Sequence, residues 1–267
     1  MAILSLDLYS YELAMNTHAM VILPERRGVP HEAHEGAYPV LYLLHGHGQD
    51  CTSWVRMSRL ESYVQNLDVV VVMPDGGRGC YVDGVSSHRY GAYLTRELPV
   101  AVANWFRVSP RREDTFIAGM SMGGYGALRA ALEFPEQYGA ACGLSTAFHL
   151  RADRLRGHAE QGLNIPDFSE IEGNFTNVFG PESGFVGSRF DLEALARTVN
   201  GSGGPKPRVL QLCGTGDPLR AENAAFAAFV ERECPGLDWT YEERPGIHDF
   251  DFWDGEIPGM LRFFGLV

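Results

Sequence analysis

One stretch constrains this chain more than any other: an apolar strand that runs straight into a glycine-flanked serine and then into a helix. It reads Thr115-Phe116-Ile117-Ala118-Gly119-Met120-Ser121-Met122-Gly123-Gly124-Tyr125-Gly126. Such a stretch fits a sharp strand-to-helix turn that exposes the serine hydroxyl above a sheet, the geometry of a nucleophile elbow. Side chains at Gly119 and Gly123 would crowd the turn, and Gly124 and Gly126 let the helix lie close to the sheet. The turn also sets Ser121 at a helix N-terminus, where free N–H groups and the dipole favour developing negative charge.

The rest of the chain supplies a sheet for that elbow. Apolar runs alternate with helix-like stretches over 267 residues, the pattern of a mostly parallel sheet covered by helices on both faces. Strands are expected at 3–9, 18–23, 40–44, 68–73, 115–119, 138–144, 208–213 and 237–242. Several are continuous Val/Ile/Leu runs suited to burial on both faces, and the first two form an antiparallel edge hairpin. Helices are expected at 53–65, 93–106, 122–133, 192–199, 221–232 and 252–264. From Phe148 to Arg189 the alternation lapses, and a cap-like excursion over the sheet is expected there. Too little chain follows Gly201–Pro205 for a second core, so one α/β domain over residues 1–267 is the expectation.

Charge and composition narrow the chemistry. The 34 acidic residues outnumber the 22 basic ones, a formal charge of −12, and a surface of that sign repels nucleic acid and anionic lipid. Lys206 is the only lysine, held between Pro205 and Pro207, which argues against a Walker lysine or Schiff-base chemistry. No apolar run is long enough to span a membrane. Met1–Asp7 lacks the basic stretch of a secretory signal. The five cysteines at 51, 80, 142, 213 and 234 show no CxxC spacing and read as reduced structural thiols, with a cytoplasmic location expected.

Ser121 needs an imidazole to take its proton and a carboxylate to orient that imidazole. On such sheets these follow in the chain order serine, acid, histidine. The histidines beyond Ser121 are His149, His158 and His248. Only His248 lies past the last predicted strand, so it is the expected base. Asp217, in the turn Cys213-Gly214-Thr215-Gly216-Asp217, lies at the carboxyl end of a strand, where sites assemble. Asp249 and Asp251 are rivals, but Asp249 adjoins His248 directly and both suit capping of the last helix. The oxyanion hole is expected from the backbone N–H of Met122 and of His47, in the loop His45-Gly46-His47-Gly48. Trp54, Asp75 and Tyr81 are expected either to line the substrate pocket or to pack the loops around it. His45-x-His47 with Asp50 also invites a zinc reading, but Gln49 and Cys51 put that run out of phase with known metallohydrolase patterns, and no metal or cofactor is expected.

Several stretches together resemble the tributyrin esterases. They are Pro39–Gly46, Met73-Pro74-Asp75-Gly76, Glu97-Leu98-Pro99, Phe116–Gly126, Cys213–Asn223 and His248-Asp249-Phe250 with Phe252-Trp253-Asp254. These esterases belong to the esterase D-like group of α/β-hydrolases, which includes S-formylglutathione hydrolases, feruloyl esterases and mycolyltransferases. The resemblance implies an α/β-hydrolase fold and a serine carboxylesterase acting without cofactor on short-chain acyl esters. Position by position it matches Ser121, Asp217 and His248 to the family triad, and the His47 and Met122 N–H groups to its oxyanion donors. S-formylglutathione hydrolases usually carry Ser-Gly where this chain has His45-Gly46 and His where it has Tyr125, which ranks a thioesterase second. Acyl transfer to an alcohol, deacetylation of sugar esters and a non-catalytic binding role are further readings, and a homo-oligomer is compatible with the sequence.

Overall fold

The computed structural model describes residues 1–25, 36–86, 88–148 and 168–267, with the side chains of 168–172 and 182 excepted. An 8-stranded sheet runs through the chain in the spatial order β1-β2-β4-β3-β5-β6-β7-β8. The strands are β1 Ala2–Ser10, β2 Met15–Leu23, β3 Val40–Leu44, β4 Val70–Pro74, β5 Thr115–Met120, β6 Ala140–Leu144, β7 Arg208–Gly214 and β8 Trp239–Arg244. β1, β2 and β4 pair antiparallel, whereas β4, β3, β5, β6, β7 and β8 pair parallel. The expected edge hairpin is present, and β1 alternates exposed and half-buried residues as a strand covered on one face should.

Burial on both faces explains the continuous apolar runs. Along β3, Val40, Tyr42 and Leu44 point to one core and Leu41 and Leu43 to the other. Helices α1 Ser53–Met57, α2 Leu60–Val64, α3 Tyr90–Ala92, α4 Leu98–Trp105, α5 Met122–Glu133, α6 Phe168–Phe179, α7 Leu192–Gly201, α8 Arg220–Glu233 and α9 Phe250–Phe263 flank the strands. The core on one face takes Leu98 and Val102 of α4, Leu128 of α5, Ala196 of α7 and Phe226 of α8. The opposite core takes Trp54 of α1, Leu60 of α2 and Trp253, Ile257 and Met260 of α9. None of the helices among the described residues is long and apolar enough to cross a membrane, and the five cysteines are buried and free.

Two helices depart from the sequence pattern for identifiable reasons. The single helix expected at 53–65 breaks at Ser58, whose extended backbone ends α1. α2 then begins on a cap supplied from far away, because Asp254 Oδ1 accepts the Arg59 N–H at 2.6 Å. The helix expected at 93–106 starts earlier, at Tyr90, and contains a π-helical turn over Tyr93–Glu97 before α4. Of the cap-like segment, residues 149–167, with His149 and His158, lie outside the described residues. The remainder forms α6 and a short 3₁₀ turn at Glu182–Gly184.

The chain passes from β3 to β4 on one side and then to β5 on the other. β3 and β5 therefore bound a crevice at their carboxyl ends, the switch point where open α/β sheets bind ligands.

Candidate active site

Ser121 follows β5 at that crevice. Its backbone sits at φ +54°, in the region disfavoured for residues with a side chain. Neighbouring elements fix this geometry: the Ser121 N–H donates to Leu144 O at 2.8 Å, and Ser121 O accepts from Tyr125 N at 3.1 Å and Ala147 N at 3.2 Å. Gly123 has to be glycine, since a Cβ there would lie 2.5 Å from Leu44 O and 2.6 Å from His45 O. That close approach presses the start of α5 against the loop leaving β3. Met122, the residue after Ser121, opens α5, so its N–H belongs to the free N-terminal turn of that helix.

Asp217 and His248 arrive from the ends of β7 and β8. Their loops are stitched together by Thr215 N to Arg244 O at 2.8 Å and Gly216 N to Gly246 O at 2.9 Å. A side chain at Gly214 would strike Gly246 O at 2.5 Å, so glycine permits the contact. His248 Nδ1 lies 3.0 Å from Asp217 Oδ2, and His248 Nε2 lies 3.1 Å from Ser121 Oγ. An ionised carboxylate can only accept, so the network puts the proton on Nδ1 and leaves the Nε2 lone pair to accept from the serine hydroxyl. Burial pushes the Asp217 carboxyl up, but hydrogen bonds and charge attraction from His248, with hydrogen bonds from the Ser145 hydroxyl and the Leu219 N–H, outweigh it and hold Asp217 below its ordinary value. The rival Asp249 does what its position suggested, capping α9 by accepting from Phe252 N at 3.0 Å.

Of the residues expected either to line the pocket or to pack its loops, two are buried. Trp54 is fully buried, and its indole N–H donates to Leu44 O at 3.0 Å. Tyr81, buried at φ +56°, donates its hydroxyl to His45 O at 3.1 Å. Both brace the loop after β3 from within the core and have no face to offer a ligand, because their large apolar rings are worth more packed than exposed. Asp75 is half-buried and accepts from Gly77 N at 2.8 Å, shaping its own turn.

His45 bears on the zinc reading. Its Nδ1 lies 2.8 Å from its neighbour's carbonyl, Gly46 O, and its Nε2 accepts from Gly76 N at 2.9 Å. Both ring nitrogens are engaged by backbone, which leaves no lone pair for an ion. His47 points toward α6, with its ring 5.9 Å from that of Phe175, and it accepts from Arg78 Nε at 3.4 Å. Burial, then the Arg78 charge and His45, lower the His47 pKa to about 4. The hydroxyl of Tyr125 ties α5 to the Phe190 carbonyl at 2.8 Å. Two residues beside the site were given no role from sequence, Ser145 just after β6 and Trp253 in α9, although Trp253 lies in one of the stretches that resemble the esterases. The signal available for Ser145 was its place immediately after a strand at the carboxyl edge of the sheet.

The sheet order and the serine elbow define an α/β-hydrolase of the serine hydrolase class. The chain belongs to the esterase family described as "Putative esterase", which it matches over residues 10–264, and it is a carboxylic ester hydrolase. It is 30% identical over 271 residues to an acetyl esterase of Caldicellulosiruptor saccharolyticus, covering 100% of this chain and 99% of that protein. Among solved structures it is similar to the fluorophosphonate-binding serine hydrolase FphF of Staphylococcus aureus, with a TM-score of 0.85, 29% identity and 98% of each chain covered. It is also similar to the S-formylglutathione hydrolase FrmB of the same organism, with a TM-score of 0.82, 30% identity and 98% of each chain covered.

Proposed function

We propose that this esterase is a serine carboxylesterase that cleaves short-chain acyl esters through an acyl-enzyme, with Ser121 as nucleophile, His248 as base and Asp217 as its orienting carboxylate. The observation that carries the reading is the unbroken line from Asp217 Oδ2 through the His248 ring to Ser121 Oγ, at 3.0 and 3.1 Å. Ser121 Oγ attacks the ester carbonyl while His248 Nε2 takes its proton, and Asp217 stabilises the imidazolium that forms. The carbonyl oxygen, now negative, accepts from the His47 and Met122 N–H groups, each donor of this kind being worth about 10²–10³ in rate. The imidazolium returns the proton to the departing alkoxide, and water then repeats the sequence on the acyl-enzyme.

End-to-end similarity to an acetyl esterase supports a small acyl group. The buried free thiols fit a reducing compartment. Ser121→Ala is expected to lower turnover of p-nitrophenyl acetate and butyrate by about 10⁶ and to abolish labelling by a fluorophosphonate probe; turnover near that of the wild type overturns the mechanism. A second reading, thioester hydrolysis of S-formylglutathione, draws on the similarity to the staphylococcal enzyme. A substrate panel of graded acyl esters, acetylated xylo-oligosaccharide, feruloyl esters and S-formylglutathione ranks the two by kcat/KM, and added alcohol acceptors test acyl transfer.

A further inference from the structure

We infer that the outer edge of β1 pairs with the same edge of a second copy of this chain, antiparallel about Leu6, so that two sheets become one. The inference is independent of the catalytic reading above. β1 ends the sheet, with β2 its only strand partner among the described residues. Which backbone groups face outward follows from β2. His18 O accepts from Asp75 N, just beyond β4, at 2.9 Å, so the His18 backbone points away from β1. His18 stands opposite Asp7, and in an antiparallel pair two opposed residues turn their N–H and C=O groups both toward each other or both away. The backbone groups of Asp7, and with it those of Ile3, Ser5 and Tyr9, therefore line the open edge.

This edge lacks the devices that keep strand edges single. β1 has 9 residues, with no proline or lysine and one charge, Asp7, and it pairs with β2 without a bulge. Asp7 already has a partner, His18 Nδ1 at 2.5 Å. β8, at the opposite edge, has 6 residues and is fenced by the ion pairs of Glu243 with Arg220 and of Arg244 with Glu256. Apolar surface also gathers at β1. Ile3, Tyr9, Tyr11 and Met15 are all exposed on the β1–β2 hairpin, with Tyr11 edge-on against Tyr9, and such clustering marks an interface.

The pattern of the strand names the occupant. A two-fold axis requires a surface to match itself, and β1 reads alike in both directions from Leu6: Leu4 and Leu8, then Ser5 and Asp7, then Ile3 and Tyr9. Pairing about Leu6 sets Leu4 against Leu8 and Ile3 against Tyr9. It also sets Ser5 against Asp7, whose carboxylate can accept from the serine hydroxyl. Sliding the copies by two residues opposes Asp7 to Asp7 in one direction and Asp7 to Ile3 in the other, so the side chains select one register. A strand from another protein has no cause to share that symmetry.

Sedimentation velocity over a micromolar concentration series tests the pairing, with p-nitrophenyl acetate turnover and a melting curve as controls on folding. The wild type should approach twice 29.5 kDa as concentration rises. Ser5→Pro deletes an outward N–H and leaves the β1–β2 ladder whole. Its dissociation constant should rise about 100-fold, one hydrogen bond being lost from each copy, with turnover within about twofold. Ser5→Asp and Ser5→Lys read the register: facing Asp7, the first should weaken pairing about tenfold and the second should hold or tighten it. Should Ser5→Pro fail to fold, these two variants decide. A species of 29.5 kDa throughout the series, an assembly that Ser5→Pro leaves intact, or a foreign chain in the particle on a denaturing gel overturns the proposal. Equal weakening by Ser5→Asp and Ser5→Lys overturns the pairing about Leu6.

Discussion

Two buried aspartates in this molecule hold very similar sets of hydrogen bonds and do different things. Asp217 faces His248 and accepts from Leu219 N at the carboxyl edge of the sheet. Asp254, in α9, accepts from Arg59 N at 2.6 Å, Arg59 Nε at 2.8 Å and Tyr63 Oη at 3.3 Å on the opposite face. The difference lies in the partner. Arginine keeps its proton under all conditions a protein meets, so the Asp254 cluster can only hold shape. Histidine gives and takes a proton near neutral pH, so a carboxylate aimed at its Nδ1 controls chemistry at Nε2. A buried carboxylate therefore does not mark a site; a buried carboxylate on a ring whose far nitrogen meets a hydroxyl does.

Asparagine at either position breaks the comparison in opposite ways. Asp217→Asn should lower kcat on p-nitrophenyl acetate by about 10⁴, because an amide favours the wrong tautomer of His248, while its melting temperature changes little; steady-state kinetics with a melting curve check both. Asp254→Asn should do the reverse. Arg59 is largely exposed, which weakens the ion pair, so the stability lost is about 1–2 kcal/mol, read as a fall of about 3–6 °C in melting temperature. Its kcat, measured well below that temperature, should stay within about twofold. A large kinetic loss in Asp254→Asn with no change in melting would erase the distinction.

The smallest effect concerns His47, a histidine held next to a cation rather than a carboxylate. Its pKa in the folded chain is lowered from 6.5 to about 4, so the unfolded chain takes up the proton first as pH falls. The stability this confers is full above pH 6.5 and is lost between there and pH 4, amounting to about 1 kcal/mol when its partial exposure is allowed for. Urea titrations at pH 7 and pH 5 should show that loss, and His47→Gln should flatten the dependence. An unchanged pH slope in His47→Gln would assign it to other groups.

Legibility of these features in the sequence follows the distance over which each is encoded. The elbow is local: strand, glycines and helix lie within Thr115–Gly126, and α5 starts and stops where the pattern sets it. The strand ends were readable to within a few residues because continuous apolar runs have few other uses. Asp217 and His248 could be singled out because chain order restricts the choice, and in the folded chain the His248 ring lies 3.0 Å from Asp217 Oδ2 and 3.1 Å from Ser121 Oγ. The break at Ser58 was not readable, since the cap on α2 comes from Asp254, 195 residues away. The partnership of Ser145 with Trp253 spans 108 residues and leaves no local mark on either. Trp54 and Tyr81 stayed open for a related reason. Both brace the loop after β3 through Leu44 O and His45 O, and whether an aromatic ring faces a ligand or the interior depends on packing that a local stretch does not encode.

Trp253 and Asp254 are consecutive, so a single turn of the last helix grips the sheet's working edge with one side chain and the far layer with the next. Heat or a protease that peels this terminal helix away would silence turnover and bare the apolar layer beneath it together. Inactivation and aggregation on warming should accordingly share one onset, with no window in which an inert yet well-behaved species accumulates.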